Sequence, residues 1–134
     1  MTEYIELAVP GAPEYLSLVR LNTGSVATRM DVTLDELEDL QLAVDELCLS
    51  LLVHSTPDSR LRVRVEWDDD AIEVRCSLSG PSVRAEALTE AEGLPASLSQ
   101  QILDALVDEH GVAVDGDARV AWLRKRREQA LPPQ

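Results

Sequence analysis

Glu46 and Ser50 stand one helical turn apart in TLDELEDLQLAVDELCLSLLVHS, residues 33–55. Side chains three or four residues apart share a face of an α-helix, so Asp39, Ala43, Glu46 and Ser50 form one line. In such a line a carboxylate can take up a proton, while a hydroxyl on the next turn can accept a hydrogen bond or ligate a cation. An acid beside a core stripe can equally pair with a nearby arginine. Two other chemistry-bearing residue types point elsewhere. Cys48 and Cys76 fall at apolar-facing positions without C-x-x-C spacing, which fits buried thiols packing as small hydrophobes. His54 and His110 are far apart in sequence and not spaced as a zinc pair. Arg20 projects from a helical stretch that otherwise carries almost no positive charge, and reads as solvated or paired with Glu14 or Glu3.

Several elements must position these groups. Leu37, Leu40, Val44, Leu47 and Leu51 alternate spacings of three and four, which predicts a helix with one face on a core. Thr33 and Glu36 form a capping-box pattern that starts this helix at Leu34. Upstream, residues 3–9 read as a strand stopped by Pro10-Gly11. Pro13 then opens a helix to about Met30, with Tyr15, Leu18, Val19, Leu21, Val26 and Met30 as its buried side. Residues 60–67, RLRVRVEW, and 71–78, AIEVRCSL, alternate apolar and polar residues and form half-buried strands joined by an acidic turn. Arg and Glu pairs decorate their exposed side. From Ser79 to Gly93 neither period is sustained, so a loop with at most a short helix is expected. A helix from about Ala96 to His110 follows, with Leu98, Ile102, Ala105 and Leu106 as its stripe and Gly111 as its stop. A second hairpin turns at Asp115-Gly116.

The order β, α, α, β, β, loop, α, β, β gives a two-layer α+β sandwich whose helices cover one face of a mostly antiparallel sheet. With 134 residues the chain is expected to form one domain over 1–126, with 127–134 as a loosely attached tail. The N-terminus shows no signal-like pattern and no segment reaches 18 consecutive apolar residues, which argues for a cytoplasmic protein without membrane contact. Net charge is −13, and residues 1–58 hold two arginines against eleven carboxylates. That balance opposes direct nucleic-acid binding and favours a basic protein partner.

LDELEDLQLAVDELCLSLL (34–52), VPGAPEYLSLVRL (9–21), SLSG (77–80), GLPASLSQQILDALVDE (93–109) and RVAWLRKR (119–126) together resemble the GHKL (histidine kinase-like) ATPase fold. More narrowly they are similar to the anti-sigma factor and serine kinase family of RsbW and SpoIIAB type. The resemblance implies that Glu46 matches a general base acting on a substrate serine, and that Ser50 stands where the family has a Mg²⁺-binding Asn. It places Ser77, Ser79 and Gly80 at the family's D-x-G segment, which contacts adenine, and Gly93 and Leu94 at its glycine-rich phosphate segment. Ser50 is a poorer fixed ligand than an amide. Ser77-Leu78-Ser79-Gly80 lacks the carboxylate, and Pro95 removes a backbone donor. Only Glu46 is unchanged, so no cofactor is expected, with Mg-ATP as the alternative.

The function this implies is an anti-sigma factor that sequesters an alternative sigma factor of RNA polymerase and is displaced by a STAS-type anti-anti-sigma antagonist. The alternative is an active ATP-dependent serine kinase of that antagonist. The resemblance places sigma contacts on the first helix, with Arg20 matching a family arginine and Glu14, Tyr15 and Leu16 nearby. It also implies a possible homodimer through the sheet edge and first helix.

Overall fold

The computed structural model describes residues 2–83, 94–115 and 118–127. The chain runs through β1 (Glu3–Pro10), a 3₁₀ turn (Pro13–Tyr15), α1 (Leu16–Thr28), α2 (Leu34–Leu52), β2 (Arg60–Trp67) and β3 (Ala71–Ser79). It continues through α3 (Leu94–Leu106), β4 (Glu109–Asp115) and β5 (Ala118–Arg126). The strands form a five-stranded sheet in the order β1-β2-β3-β5-β4. Every pairing is antiparallel. This is the α+β sandwich that the order of elements implies. The segment from 84 to 93 and the Asp115-Gly116 turn, expected as a loop and a hairpin turn, lie at least partly outside the described residues.

Period-two alternation decides which side of the sheet meets the helices. Leu61, Val63 and Val65 on β2 and Ile72, Val74, Cys76 and Leu78 on β3 are buried, as are Ala121 and Leu123 on β5. Their neighbours of opposite parity face away from the helices. Leu40, Val44, Leu47 and Leu51 of α2 are buried against this surface, and Leu37 packs partly against it. The expected stripe is therefore the contact face. Helix α2 begins at Leu34 with both hydrogen bonds of the capping box formed: Glu36 N–H donates to Thr33 Oγ1 and Thr33 N–H to Glu36 Oε1, each at 3.1 Å.

Helix α1 departs from expectation at Leu18 and Leu21. Leu16, Val19, Thr23, Gly24, Val26 and Ala27 are its buried residues, whereas Leu18 and Leu21 are 47% and 70% exposed. Val19, Val26 and Met30 are buried as expected, but with 3.6 residues per turn Leu18 and Leu21 cannot share their face. Thr23 tolerates burial because its hydroxyl donates to the Val19 carbonyl at 2.9 Å. Gly24, a weak helix residue by propensity, sits where α1 meets α2: a Cβ there would come within 2.9 Å of Gln41 Nε2. Its missing side chain permits the close approach.

Helix α3 ends at Leu106, before the expected end at His110, and His110 and Gly111 belong to β4. Gly111 is thus no helix stop; it pairs with Trp122 of β5. The α3 stripe is also rotated: Ser99 and Leu103 are buried while Leu98 is 58% exposed, and Ala105 is exposed. His110 ties the two elements together by bonding Asp104 through Nε2 at 2.5 Å. Behind α2, the buried thiols of Cys48 and Cys76 touch at 3.5 Å. A hydrogen bond with the Cys48 thiol, and then burial, push the Cys76 thiol well above its ordinary pKa, as suits a packing residue.

Candidate functional site

Helix α2 carries Glu46 and Ser50 away from the core stripe, with Glu46 partly buried and Ser50 exposed. Among the described residues Glu46 has no ion-pair or hydrogen-bond partner; the alternative in which an arginine neutralises it does not hold for them. The Ser50 hydroxyl donates to the Leu47 carbonyl at 2.7 Å. Its proton is committed to the helix, and what it can offer a cation is lone pairs alone.

The β3 end of the site is apolar where it faces α2. Ser77 and Ser79 have the parity of Glu73 and Arg75, on the sheet face turned away from the helices. They are therefore not brought together with Glu46. The residue two before Gly80, where a D-x-G pattern would carry its acid, is Leu78, which is 2% exposed. A leucine there has no atom to bond an adenine amino group. Gly80 itself has φ +153°, and a Cβ would meet Ser59 Cα at 2.9 Å, so only glycine suits this position. Next to it lies a carboxylate that sequence reasoning missed: Asp58 accepts from Ser82 Oγ at 3.0 Å. The Thr56 hydroxyl and then Ser82 hold its pKa below the ordinary range. Helix α3 opens at Leu94 with Pro95 in its first turn, one backbone donor short at the terminus where phosphate would sit. Gly93 lies outside the described residues. These side chains do not fit a Mg-nucleotide as the family's motifs would hold it. A concavity of about 850 Å³ does exist, but on the outer sheet face, lined by Glu6, Arg62, Arg64, Arg75, Ser77 and Val120 among others. It includes neither Glu46 nor Ser50.

The other candidate residues lie at the α1–α2 seam and just before it. Arg20 is half exposed on α1, and its Nε donates to Asp45 Oδ1 of α2 at 2.9 Å, so its partner is neither Glu14 nor Glu3. Asp45 was hidden from sequence reasoning because the pair spans 25 residues and depends on how the helices register. Glu14 is exposed and Tyr15 half-buried. Leu16, expected beside them as a contact residue, is only 4% exposed. It begins the buried face of α1, so it supports this surface from beneath instead of forming part of it.

A family model described as a histidine kinase-like ATPase domain matches residues 9–119. The chain belongs to that family. Within it the chain is RsbW-like. The serine-protein kinase RsbW of Bacillus subtilis is 37% identical over 83 residues, covering 60% of this chain and 52% of that protein. The anti-sigma-F factor RsbW of Mycobacterium tuberculosis is 35% identical over 112 residues, covering 84% of this chain and 62% of that protein. The chain spans about half the length of curated relatives it matches.

Proposed function

We propose that this chain is an anti-sigma protein that acts by binding alone: it sequesters an alternative RNA polymerase sigma factor in the cytoplasm and releases it when a STAS-type antagonist competes. Residues 1–126 act as one unit, with 127–134 as a tail, and self-association would use the sheet edge and the first helix. The reading rests above all on one contrast. Arg20 is displayed on α1 and braced by Asp45, while the position for an adenine-contacting acid is filled by the buried Leu78. Loss of one buried polar contact costs about 1–3 kcal/mol, and each 1.4 kcal/mol is tenfold in affinity, so ATP binding is expected to be millimolar or absent. The sigma-contacting residues in this reading are Glu14, Tyr15 and Arg20. The test is a pull-down of each alternative sigma factor of the host with wild type and with Arg20→Ala. Wild type should retain one factor and the variant should lose most of it; undiminished retention by the variant would remove this face from the proposal.

A second reading has one observation in its favour. Glu46 is partnerless among the described residues, as a general base awaiting a substrate hydroxyl would be. In that reading the chain phosphorylates its antagonist, Mg-ATP is the cofactor, and a Ser50 lone pair serves the metal. Phosphoryl transfer depends on positioning and electrostatics, which makes missing contacts hard to replace. Isothermal titration with Mg-ATP separates the two: a micromolar transition favours the kinase, and a flat trace favours binding alone.

A further inference from the structure

The solvent side of α2 is apolar where an isolated helix surface should be polar. Leu42, Leu49 and Val53 are 58%, 42% and 76% exposed, and their spacing of seven and four puts them on one stripe. On α1, Leu18 and Leu21 are exposed at 47% and 70%. Two contacts fix how the helices register: Arg20 bonds Asp45, and Gly24 abuts Gln41. Moving four residues forward on α1 moves four back on α2, so the helices are antiparallel. Leu21 is then level with Val44 and Leu18 with Leu47, between Leu42 and Leu49. Five exposed apolar side chains thus lie on the two helices that this ion pair joins. Exposed patches of this kind mark interaction surfaces.

The charge around the patch identifies what would cover it. Glu38 and Glu46 lie four residues either side of Leu42 on the same helix face. Together with Glu14, Asp35 and Asp39 they have no ion pair among the described residues. Uncompensated carboxylates around an apolar strip favour a ligand with the reverse pattern.

We propose that the outward face of the α1–α2 hairpin docks an amphipathic helix of the partner, whose apolar stripe seats on Leu18, Leu21, Leu42 and Leu49 and whose flanking Lys and Arg residues meet the carboxylates. This deepens the anti-sigma reading and rests on it: the docked helix belongs to the sigma factor, and the interface extends from α1 across α2. The Arg20–Asp45 pair stands at its centre, where surrounding apolar contacts exclude water and strengthen polar ones.

The experiment uses the full chain and the sigma factor retained by wild type in the pull-down above. Leu42→Glu/Leu49→Glu should weaken binding at least tenfold with an unchanged melting temperature, and Leu42→Ala/Leu49→Ala should weaken it less but measurably. A photo-crosslinking benzoylphenylalanine at position 42 should capture a sigma peptide whose apolar residues recur at helical spacing beside Lys and Arg. Affinity should fall as salt rises. If the chain retains no sigma factor, the anti-sigma reading fails and this inference with it. If Arg20→Ala weakens binding while both leucine double variants bind as wild type, the docking face alone is overturned. A crosslink to an acidic or non-helical segment overturns the amphipathic basic helix as its occupant.

Discussion

The two faces of the molecule handle charge in opposite ways. On the outer sheet face every Glu of the strand rows has an Arg: Glu6 and Glu66 bond Arg64, Glu73 bonds Arg75, and Glu109 bonds Arg126. Arg64 also stacks over the Tyr4 ring at 3.7 Å. On the helical face Asp45 is paired with Arg20, and residues 13–54 hold eight carboxylates against two arginines. Cross-strand neighbours lie within reach of one another on a pleated surface, so the sheet neutralises itself. The helices are left with a field that points outward. Residues 13–54 thus contribute −6 of the net charge of −13, and they also carry exposed leucines.

Substitutions can break or sharpen this contrast. The largest effect is expected at Leu61, which is fully buried on β2 between sheet and helices: Leu61→Ala should cost about 2–5 kcal/mol in denaturant unfolding, and both faces should be lost in one transition. Two transitions would mean that the faces are separately stable. Gly80→Ala comes next, because a left-handed backbone meets Ser59 there; a loss of about 1–3 kcal/mol is expected. Full retention of stability would show that the β3 end relaxes freely. Thr33→Ala removes the α2 cap and should cost about 1 kcal/mol, with sigma binding at saturating concentration unaltered.

The Asp68 carboxyl has a smaller and pH-limited effect. It accepts from the Asp70 and Ala71 N–H groups at 2.8 and 2.9 Å, and these bonds hold its pKa below the ordinary value. A depressed carboxylate stabilises the fold above the unfolded pKa of about 3.9 and loses that contribution as pH falls through the folded value. Asp68→Ala should therefore melt below wild type at neutral pH, with the gap closing in acid; a gap that stays constant would show that charge is not its cause. Smallest of all is the expected effect of Arg64→Ala on partner binding. The outer sheet face is not the proposed docking face, so the variant should bind as wild type does, and a loss comparable to that of Arg20→Ala would move the interface to the sheet.

Much of the fold was legible because its signals are local. The period of α2, its Thr33 cap and the alternation of β2 and β3 each follow from neighbours within a few residues, and the structure has them within a residue or two. The errors are also instructive. Leu18, Leu21 and Leu98 look like core residues by sequence, because apolar residues at helical spacing normally mean core. Here Leu18 and Leu21 lie on a different face of α1 from the buried Val19 and Val26, and α3 buries Ser99 and Leu103 in place of Leu98. Gly111 looked like a helix stop, yet it gives Trp122 room across the β4–β5 pair, where a Cβ would lie 3.2 Å from the ring. At the site, Glu46 and Ser50 were legible from spacing. The sequence held no sign that Ser77 and Ser79 face away from them, because parity on β3 acquires meaning only once a helix covers one side.

From the chain alone came the order of elements, the core stripe of α2, the RsbW-like resemblance and a stretch before Gly80, Ser77-Leu78-Ser79, that holds no carboxylate. Each depends on residue type and short-range periodicity, which the covalent chain already contains. Tertiary structure alone decided that Arg20 reaches Asp45, that Leu78 turns inward, and that the leucines of α1 and α2 gather on the acidic side. Those facts depend on how two helices register and which sheet face they cover, and such long-range choices are settled only when the whole core packs.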